Sequence, residues 1–351
     1  MSIIKGVRGK RIAVAMSGGV DSSVCAWMLK KSGADVFGIT MRTIPGSRCC
    51  SLDDILQAKL VAEDLGIPHY VVDLRKQFEK QVINYFIKES LKGKNPNPCV
   101  PCNQKIKFGA LLREAEKLGA ELMATGHYAR LYKRGNKIIL KRPIDTRKDQ
   151  AYVLSMLPKK VFQKLIFPIG NYTKEQIRRI AKENKIRVFA KKGNKDLCFL
   201  DKEKGEFIQE RIGKIGKGNI VDKSGNILGK HNGYVHFTVG QRKGIGIKTH
   251  KRLYVIDIHP DKNEIVVGEK QDLYKNSFYV YKPNWVSINP PKKPFYADVL
   301  IRNKTQPKRV KVIPEGKKIK VVSKEPLWAV SPGQIAVFIK KDIVLGGGWI
   351  L

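Results

Sequence analysis

Through its first 125 residues the chain alternates short apolar, β-branched runs with stretches of helical periodicity. RIAVAM (Arg11 to Met16), VFGITM (Val36 to Met41), HYVVDL (His69 to Leu74) and ELMATG (Glu121 to Gly126) read as strands. Between them SSVCAWMLKK, SLDDILQAKLVAEDLG, QFEKQVINYFIKESL and KIKFGALLREAEKLG carry apolar residues at helical spacing. Strands alternating with helices predict an α/β fold with a Rossmann-like parallel sheet. Ser51 with Asp54, and Thr173 with Gln176, have the spacing of capping boxes that start helices. The segment NPNPCVPCNQ (Asn95 to Gln104), with prolines flanking its cysteines, reads as a loop interrupting this pattern.

Beyond about residue 202 the helical period gives way to β-branched runs separated by Gly, Asn and Pro: VHFTVG, LYVIDIH, EIVVGE, FYVYKPNWVSI, YADVLIR, RVKVI, KIKVVS, IAVFIK and IVLGG. Many short strands with regular turns predict small sheets or barrels. A further boundary falls near Gln271 to Asn276. The expected division is residues 1–201, an α/β domain; 202–272, a small β-rich domain; and 273–351, a second β-rich domain of small sheets or a barrel.

Composition narrows the setting. No apolar run approaches the ~20 residues a membrane helix needs. The apolar patch after the basic start, Ile12 to Met16, is too short for a signal peptide and reads as a strand. Six cysteines are too sparse for a disulfide scaffold, so a reducing, cytoplasmic setting is expected. Charge is the unusual feature: 68 Lys plus Arg against 31 Asp plus Glu give a formal net charge of +37. Such a field attracts polyanions such as nucleic acid, and a lysine-biased proteome produces it too.

Directly after the first strand comes AMSGGVDSS, Ala15 to Ser23. Glycines at the carboxyl end of a parallel strand, opening a helix, let backbone N–H groups approach an anion. Ser17, Ser22 and Ser23 add hydroxyls, and Asp21 is placed to hold Mg²⁺ against phosphate oxygens. No G-K-[ST] follows, so this is not a Walker loop. The S-G-G-x-D-S signature instead resembles the pyrophosphate loop of N-type ATP pyrophosphatases.

The rest of the chain sharpens that resemblance. CCSLDD, NPNPCVPCNQKIKFG, ATGHYAR, KDQAYVL, FPIGNYTKEQIR, DLCFL, LGKHNGYVHFTVGQRKGIGI, NW, SPGQ and LGGGWI follow in order across nearly the whole length. The ordered set resembles the tRNA-specific 2-thiouridylase family. The resemblance implies a pyrophosphatase domain, a central β domain and a tRNA-binding C-terminal β-barrel. It also implies ATP-dependent adenylation of O2 of the wobble uridine, followed by sulfur transfer. Two departures stand out: KKGNK precedes DLCFL where relatives carry a Ser-containing segment, and Asn303 follows Arg302 where an aromatic is common.

Residue roles follow from the resemblance. ATP contacts fall on Ala15, Met16, Ser17, Gly18, Gly19, Val20, Asp21, Ser22, Met41 and Gly126. Contacts with tRNA fall on Asn97, Pro98, Cys99, Lys148, Asp149, Gln150, Arg302 and Asn303, with His127 and Gln334 near the RNA. Read without the resemblance, these are solvated polar surface residues, Met41 is core and Gly126 is a turn glycine. Reaching a stacked anticodon base requires flipping it into a pocket. Acceptors for lysine, glutamate and glutamine are the implied tRNAs, and a cysteine desulfurase or sulfur-relay protein is the implied donor.

Only one C-x-x-C is present, half of an ordinary zinc site. Cys25 falls inside the first helix as a small core residue, and adjacent Cys49 and Cys50 at a helix entry read as structural. The resemblance makes Cys102 the nucleophile and Cys198 the persulfide carrier, with Lys105, Lys107 or Lys195 as candidates for lowering thiol pKa values. Cys99 stands where some relatives have aspartate, so Cys99, Cys102 and Cys198 also form a candidate ligand set for a [4Fe–4S] cluster. The persulfide relay and the cluster use the same residues. Two competing readings are another pyrophosphate-loop enzyme, such as a lysidine synthetase or an amidating ligase, and a non-catalytic RNA-binding protein. The NPC-x-x-CN-x-x-IKF segment argues against the first, and the intact SGGVDSS loop against the second.

Overall fold

The computed structural model describes residues 4–44, 51–188, 197–200, 202–247, 249–303 and 305–351. A parallel sheet organises the first part: β1 (Arg11–Ala15), β2 (Asp35–Arg42), β3 (His69–Asp73), β4 (Leu122–Thr125) and, after an intervening hairpin, Leu165–Ile166. β1 and β2 are near-continuous apolar runs because helices cover both sheet faces. From β1 the chain steps outward through β2 to β3, then crosses back to place β4 on the other side of β1. The order therefore reverses between β1 and β4, and a crevice opens there beyond the carboxyl ends of the strands.

Helices α1 (Val20–Lys31) and α2 (Leu52–Asp64) pack on this sheet, and both expected capping boxes form, at Ser51–Asp54 and Thr173–Gln176. The cysteine segment differs from the expected loop. Residues 99–117 form one continuous helix that carries Cys99 and Cys102 in its first turns. Pro98 and Pro101 do not break it, because near a helix start the missing N–H groups have no partner to lose.

The hairpin β5 (Arg130–Arg134) and β6 (Lys137–Lys141) leaves the first part and joins the last. The 165–166 strand is β7. A short helix, Lys204–Ile212, occupies the region expected to be all β. The central sheet has the order β10 (Tyr254–His259), β11 (Glu264–Gly268), β8 (Gly218–Val221), β9 (Ile227–His231), with β11 and β8 parallel and the rest antiparallel. VHFTVG is not a strand. Val235, Phe237 and Val239 alternate into the core as in a strand, while a 3₁₀ turn at Tyr234–His236 takes up the local backbone bonds.

The C-terminal part is a closed six-strand antiparallel barrel. Its strands are β12 (Tyr274–Trp285), β13 (Phe295–Leu300), β14 (Lys308–Glu315), β15 (Lys318–Trp328), β16 (Ile335–Lys340) and β17 (Ile343–Ile350). Pairing of β12 with β17 closes the ring, which leaves no open edge in it. Trp285 stacks on Phe338 at 5.7 Å in its core. β6 pairs along β17, so the first part of the chain extends the barrel wall. Among the described residues no helix is long and apolar enough to cross a membrane.

Candidate active site

The crevice between β1 and β4 is a cavity of about 490 Å³. Ala15, Met16, Ser17, Asp21 and Ser22 line it from the first loop, and Met41 from the end of β2. Gly126, His127 and Tyr128 enter from beyond β4; Lys148, Asp149 and Gln150 close one side, and Asn303 reaches in from the barrel. Sequence positions nearly 300 residues apart thus meet in one space. Gly18, Gly19 and Val20, also expected at the nucleotide, do not line it. Gly18 has φ +64°, and a Cβ there would sit 2.3 Å from the Asp54 carbonyl oxygen, so only glycine lets this loop lie against α2.

The serines divide their labour. Ser22 Oγ donates to the Gly19 carbonyl at 3.0 Å and lies 3.2 Å from the Ser17 amide. Ser23 is fully buried and donates to the same carbonyl, so it braces the loop and does not offer a hydroxyl to phosphate as expected. Beneath the loop Thr40 Oγ1 donates to Met16 O and pairs with His69 Nε2, both at 2.8 Å. Burial, then Lys59, holds His69 below its ordinary range and keeps the ring neutral.

Asp21 Oδ1 accepts from the Tyr128 phenol at 2.8 Å and from the Lys174 ammonium at 2.6 Å. Burial and then the Asp21 charge push the Tyr128 phenol up, so it stays a donor. Sequence reasoning missed both partners. Their motifs were in view, Tyr128 in ATGHYAR and Lys174 just after a helix cap, but nothing local tied either to Asp21.

Three residues expected at the RNA, Asp149, Arg302 and His127, are turned inward. Asp149 is 3% exposed; its carboxylate accepts from Arg142 at 2.6 Å and from the Ala151 amide at 2.9 Å. Its burial outweighs the Arg142 charge and raises its pKa. Arg302 donates to the carbonyls of Val239 and Ala329 at 3.3 and 3.2 Å and lies over the Trp328 ring at 5.3 Å. Burial lowers its pKa from the usual guanidinium value. His127 is 6% exposed, pairs with Thr125 Oγ1 at 2.7 Å and packs between the Phe108 and Phe167 rings.

Cys99 and Cys102 lie three residues apart, on one face of their helix. The Cys99 amide donates to Asn97 Oδ1 at 3.1 Å, and Asn103 Nδ2 donates to the Cys99 carbonyl at 2.8 Å. From Cys102 to Leu111 this helix widens to π geometry, a form often found at functional sites. Lys107 and Leu111, on the same segment, wall the nucleotide cavity. Cys198 sits in a turn whose Phe199 ring meets Phe78, Phe86 and Phe207. It packs on the same apolar cluster that holds Cys102. Cys25 is buried, which pushes its thiol up and leaves it unreactive. Cys49, Cys50 and Lys195 lie outside the described residues.

Comparison with known proteins decides the family. Residues 10–202 match the model described as tRNA methyl transferase HUP domain, 205–269 its PRC-barrel domain, and 275–350 an aminomethyltransferase beta-barrel domain. The tRNA-specific 2-thiouridylase MnmA of Clostridium acetobutylicum is 40% identical over 97% of this chain and 99% of its own. MnmA 2 of Clostridium tetani is 41% identical over the whole of both. The chain belongs to the tRNA-specific 2-thiouridylase family. The U34-tRNA thiolase NcsA of Methanococcus maripaludis, solved with its [4Fe-4S] cluster, is similar over 53% of this chain and 61% of its own, at 20% identity and a TM-score of 0.37.

The sulfurs of this 2-thiouridylase are its candidate cluster ligands. Among the described residues no three His, Cys, Asp or Glu side chains gather as a metal-binding group. A magnesium ion arriving with ATP needs only one carboxylate, since phosphates and water fill its other positions. Asp21, at the rim of the cavity, is the carboxylate that would hold it.

Proposed function

We propose that the chain thiolates C2 of the wobble uridine in tRNA with ATP, through a cysteine persulfide. The observation that carries this reading is the helix over 99–117, which holds Cys99 and Cys102 at one end and walls the nucleotide cavity with Lys107 and Leu111. ATP occupies the cavity, with the Ala15 to Ser22 loop at its phosphates. When bound there, Mg²⁺ supplies charge that neutralises the phosphates, and Asp21 would hold it.

A pyrimidine carbonyl oxygen leaves poorly. Uridine O2 therefore attacks the α-phosphate, the Pα–O bond to pyrophosphate breaks, and the base is adenylated. The terminal sulfur of a Cys198 persulfide attacks C2, and AMP departs with its electron pair. The Cys102 thiolate then attacks the Cys198 sulfur. The S–S bond breaks toward the base, giving 2-thiouridine and a Cys102–Cys198 disulfide. Activation splits one hard step into easier ones. Asn97, Pro98 and Cys99 face the flipped base, with His127, Lys148 to Gln150 and Asn303 along the RNA path; Gln334, expected near the RNA, instead gives its amide to the Asn95 carbonyl. Arg302 braces the loop that delivers Asn303.

Partners in this reading are a tRNA anticodon loop and a persulfide donor such as a cysteine desulfurase or relay protein, in a reducing cytoplasm. The working division into residues 1–201, 202–272 and 273–351 assigns chemistry to the first part and RNA contact to the last. The test is thiolation of unmodified tRNA with ATP under anaerobic conditions, comparing metal-free with iron-reconstituted protein. Equal activity is expected, with more than about 10³-fold loss in Cys198→Ala and Cys102→Ala, as for removal of a catalytic nucleophile. Activity only after iron reconstitution sinks the relay, and activity surviving Cys198→Ala sinks any scheme through that sulfur.

A further inference from the structure

The strap that leads into the cysteine helix is held by the barrel. Gln334 Nε2 donates to the Asn95 carbonyl at 2.8 Å, and the Asn95 amide donates to the Pro332 carbonyl at 2.9 Å. Between these bonds Gly333 has φ +88°, and a Cβ there would lie 3.1 Å from Lys94 Cβ and from the Asn95 carbonyl carbon. The barrel loop is fixed in turn to β17, since the Ile350 amide donates to the Gln334 carbonyl at 2.9 Å. At the other end of the strap Tyr234 of the central part donates to the Leu91 carbonyl at 2.9 Å.

Three residues separate Asn95 from Cys99, and two of them, Pro96 and Pro98, have φ fixed by their rings. With φ fixed at two of the three, the strap has few soft dihedrals left to absorb a displacement at Asn95 before the helix starts. It reaches Cys99 and Cys102 through the Asn97–Cys99 and Pro98–Cys102 bonds.

We propose that Gln334, with Gly333, is a positioning residue for the sulfur-transfer step. It acts through Asn95 on the two helix cysteines, and its amide is spent on the protein and not on RNA. The inference rests on the thiolation reading. It also makes the closed barrel part of the chemistry, since the barrel sets the register of the cysteine turn.

The test uses the full chain with Gln334→Met, which keeps length and neutrality and removes the donor. In RNA-free protein the iodoacetamide alkylation rates of Cys99 and Cys102, read peptide by peptide by mass spectrometry, are expected to change by more than about twofold, since access and thiolate character set them. Single-turnover 2-thiouridine formation falls by about tenfold, the scale of one lost hydrogen bond. The tRNA Kd stays within a factor of about two, well short of a lost RNA contact. Gly333→Ala, which presses a methyl onto the strap while keeping Gln334, is expected to repeat the pattern. Unmoved alkylation overturns the proposal whatever happens to RNA binding, and so does moved alkylation with unchanged thiolation. If the wild type makes no 2-thiouridine the functional reading fails, and the alkylation arm still decides the clamp.

Discussion

One carboxylate oxygen, Asp21 Oδ1, binds both a phenol and an ammonium at the mouth of the nucleotide cavity. Lys174 is 14% exposed there, so its charge acts through protein more than through bulk water. An incoming triphosphate offers that ammonium far more negative charge than Asp21 does. Lys174 is thus poised to move toward phosphate while Tyr128 keeps Asp21 in place. Lys174→Met is expected to slow tRNA-dependent pyrophosphate release by roughly 10²-fold, the scale of losing one preorganised charge contact. The unfolding midpoint should shift little, because Asp21 is partly exposed and retains Tyr128. Steady-state kinetics against ATP checks this; unchanged kcat/KM would remove Lys174 from the site.

Lys174 is presented by a helix, and that helix begins at a cap. Thr173 Oγ1 accepts from the Gln176 amide at 3.2 Å, and Gln176 Oε1 accepts from the Thr173 amide at 2.8 Å. Thr173→Ala is expected to cost about 1 kcal/mol and to raise KM for ATP as the first turn frays around Lys174. Denaturant titration and ATP kinetics, measured together, check it. A stability loss with unchanged KM would uncouple cap from site. That cap was legible in the sequence because both of its bonds span three residues. The parallel sheet and phosphate loop were legible for the same reason, since their signals are local. The helix from Lys105 onward was legible too, but its start over Cys99 and Cys102 was not, because Pro98 and Pro101 read as breakers although a helix tolerates them at its start. The β5–β6 hairpin went unread because its strands are partly exposed and charged, and the strand that pairs with β6 lies some 200 positions later, in β17. Lys174 and Tyr128 were overlooked for a related reason: their meeting with Asp21 is set by the sheet's strand order, which no short window contains.

At the scale of the molecule, the proposed thiolation depends on the barrel staying docked, since it supplies both Asn303 to the cavity and Gln334 to the strap. Docking uses bonds of different depth. Asp342 meets Arg130 at 2.8 Å and Lys141 at 3.3 Å, but its side chain is 40% exposed, so water screens that pair. Asn284 is better placed. Its Nδ2 donates to the carbonyls of Ser155 and Leu157 at 2.7 and 2.8 Å, joining the barrel to the first part of the chain. Asn284→Ala leaves two carbonyls short of a donor, an expected cost of about 1–3 kcal/mol. Asp342→Asn should cost less, under about 1 kcal/mol, and the cost should shrink further in high salt. Because the barrel holds the cysteine strap, Asn284→Ala should also slow thiolation and move Cys99 and Cys102 alkylation in the direction seen for Gln334→Met, though Asn284 faces neither cysteine nor nucleotide. Chemical unfolding of both variants, with alkylation mapped under native conditions, distinguishes the outcomes. If Asn284→Ala lowers stability while alkylation keeps its wild-type rate, the barrel is a passive neighbour and the clamp is local to Gln334.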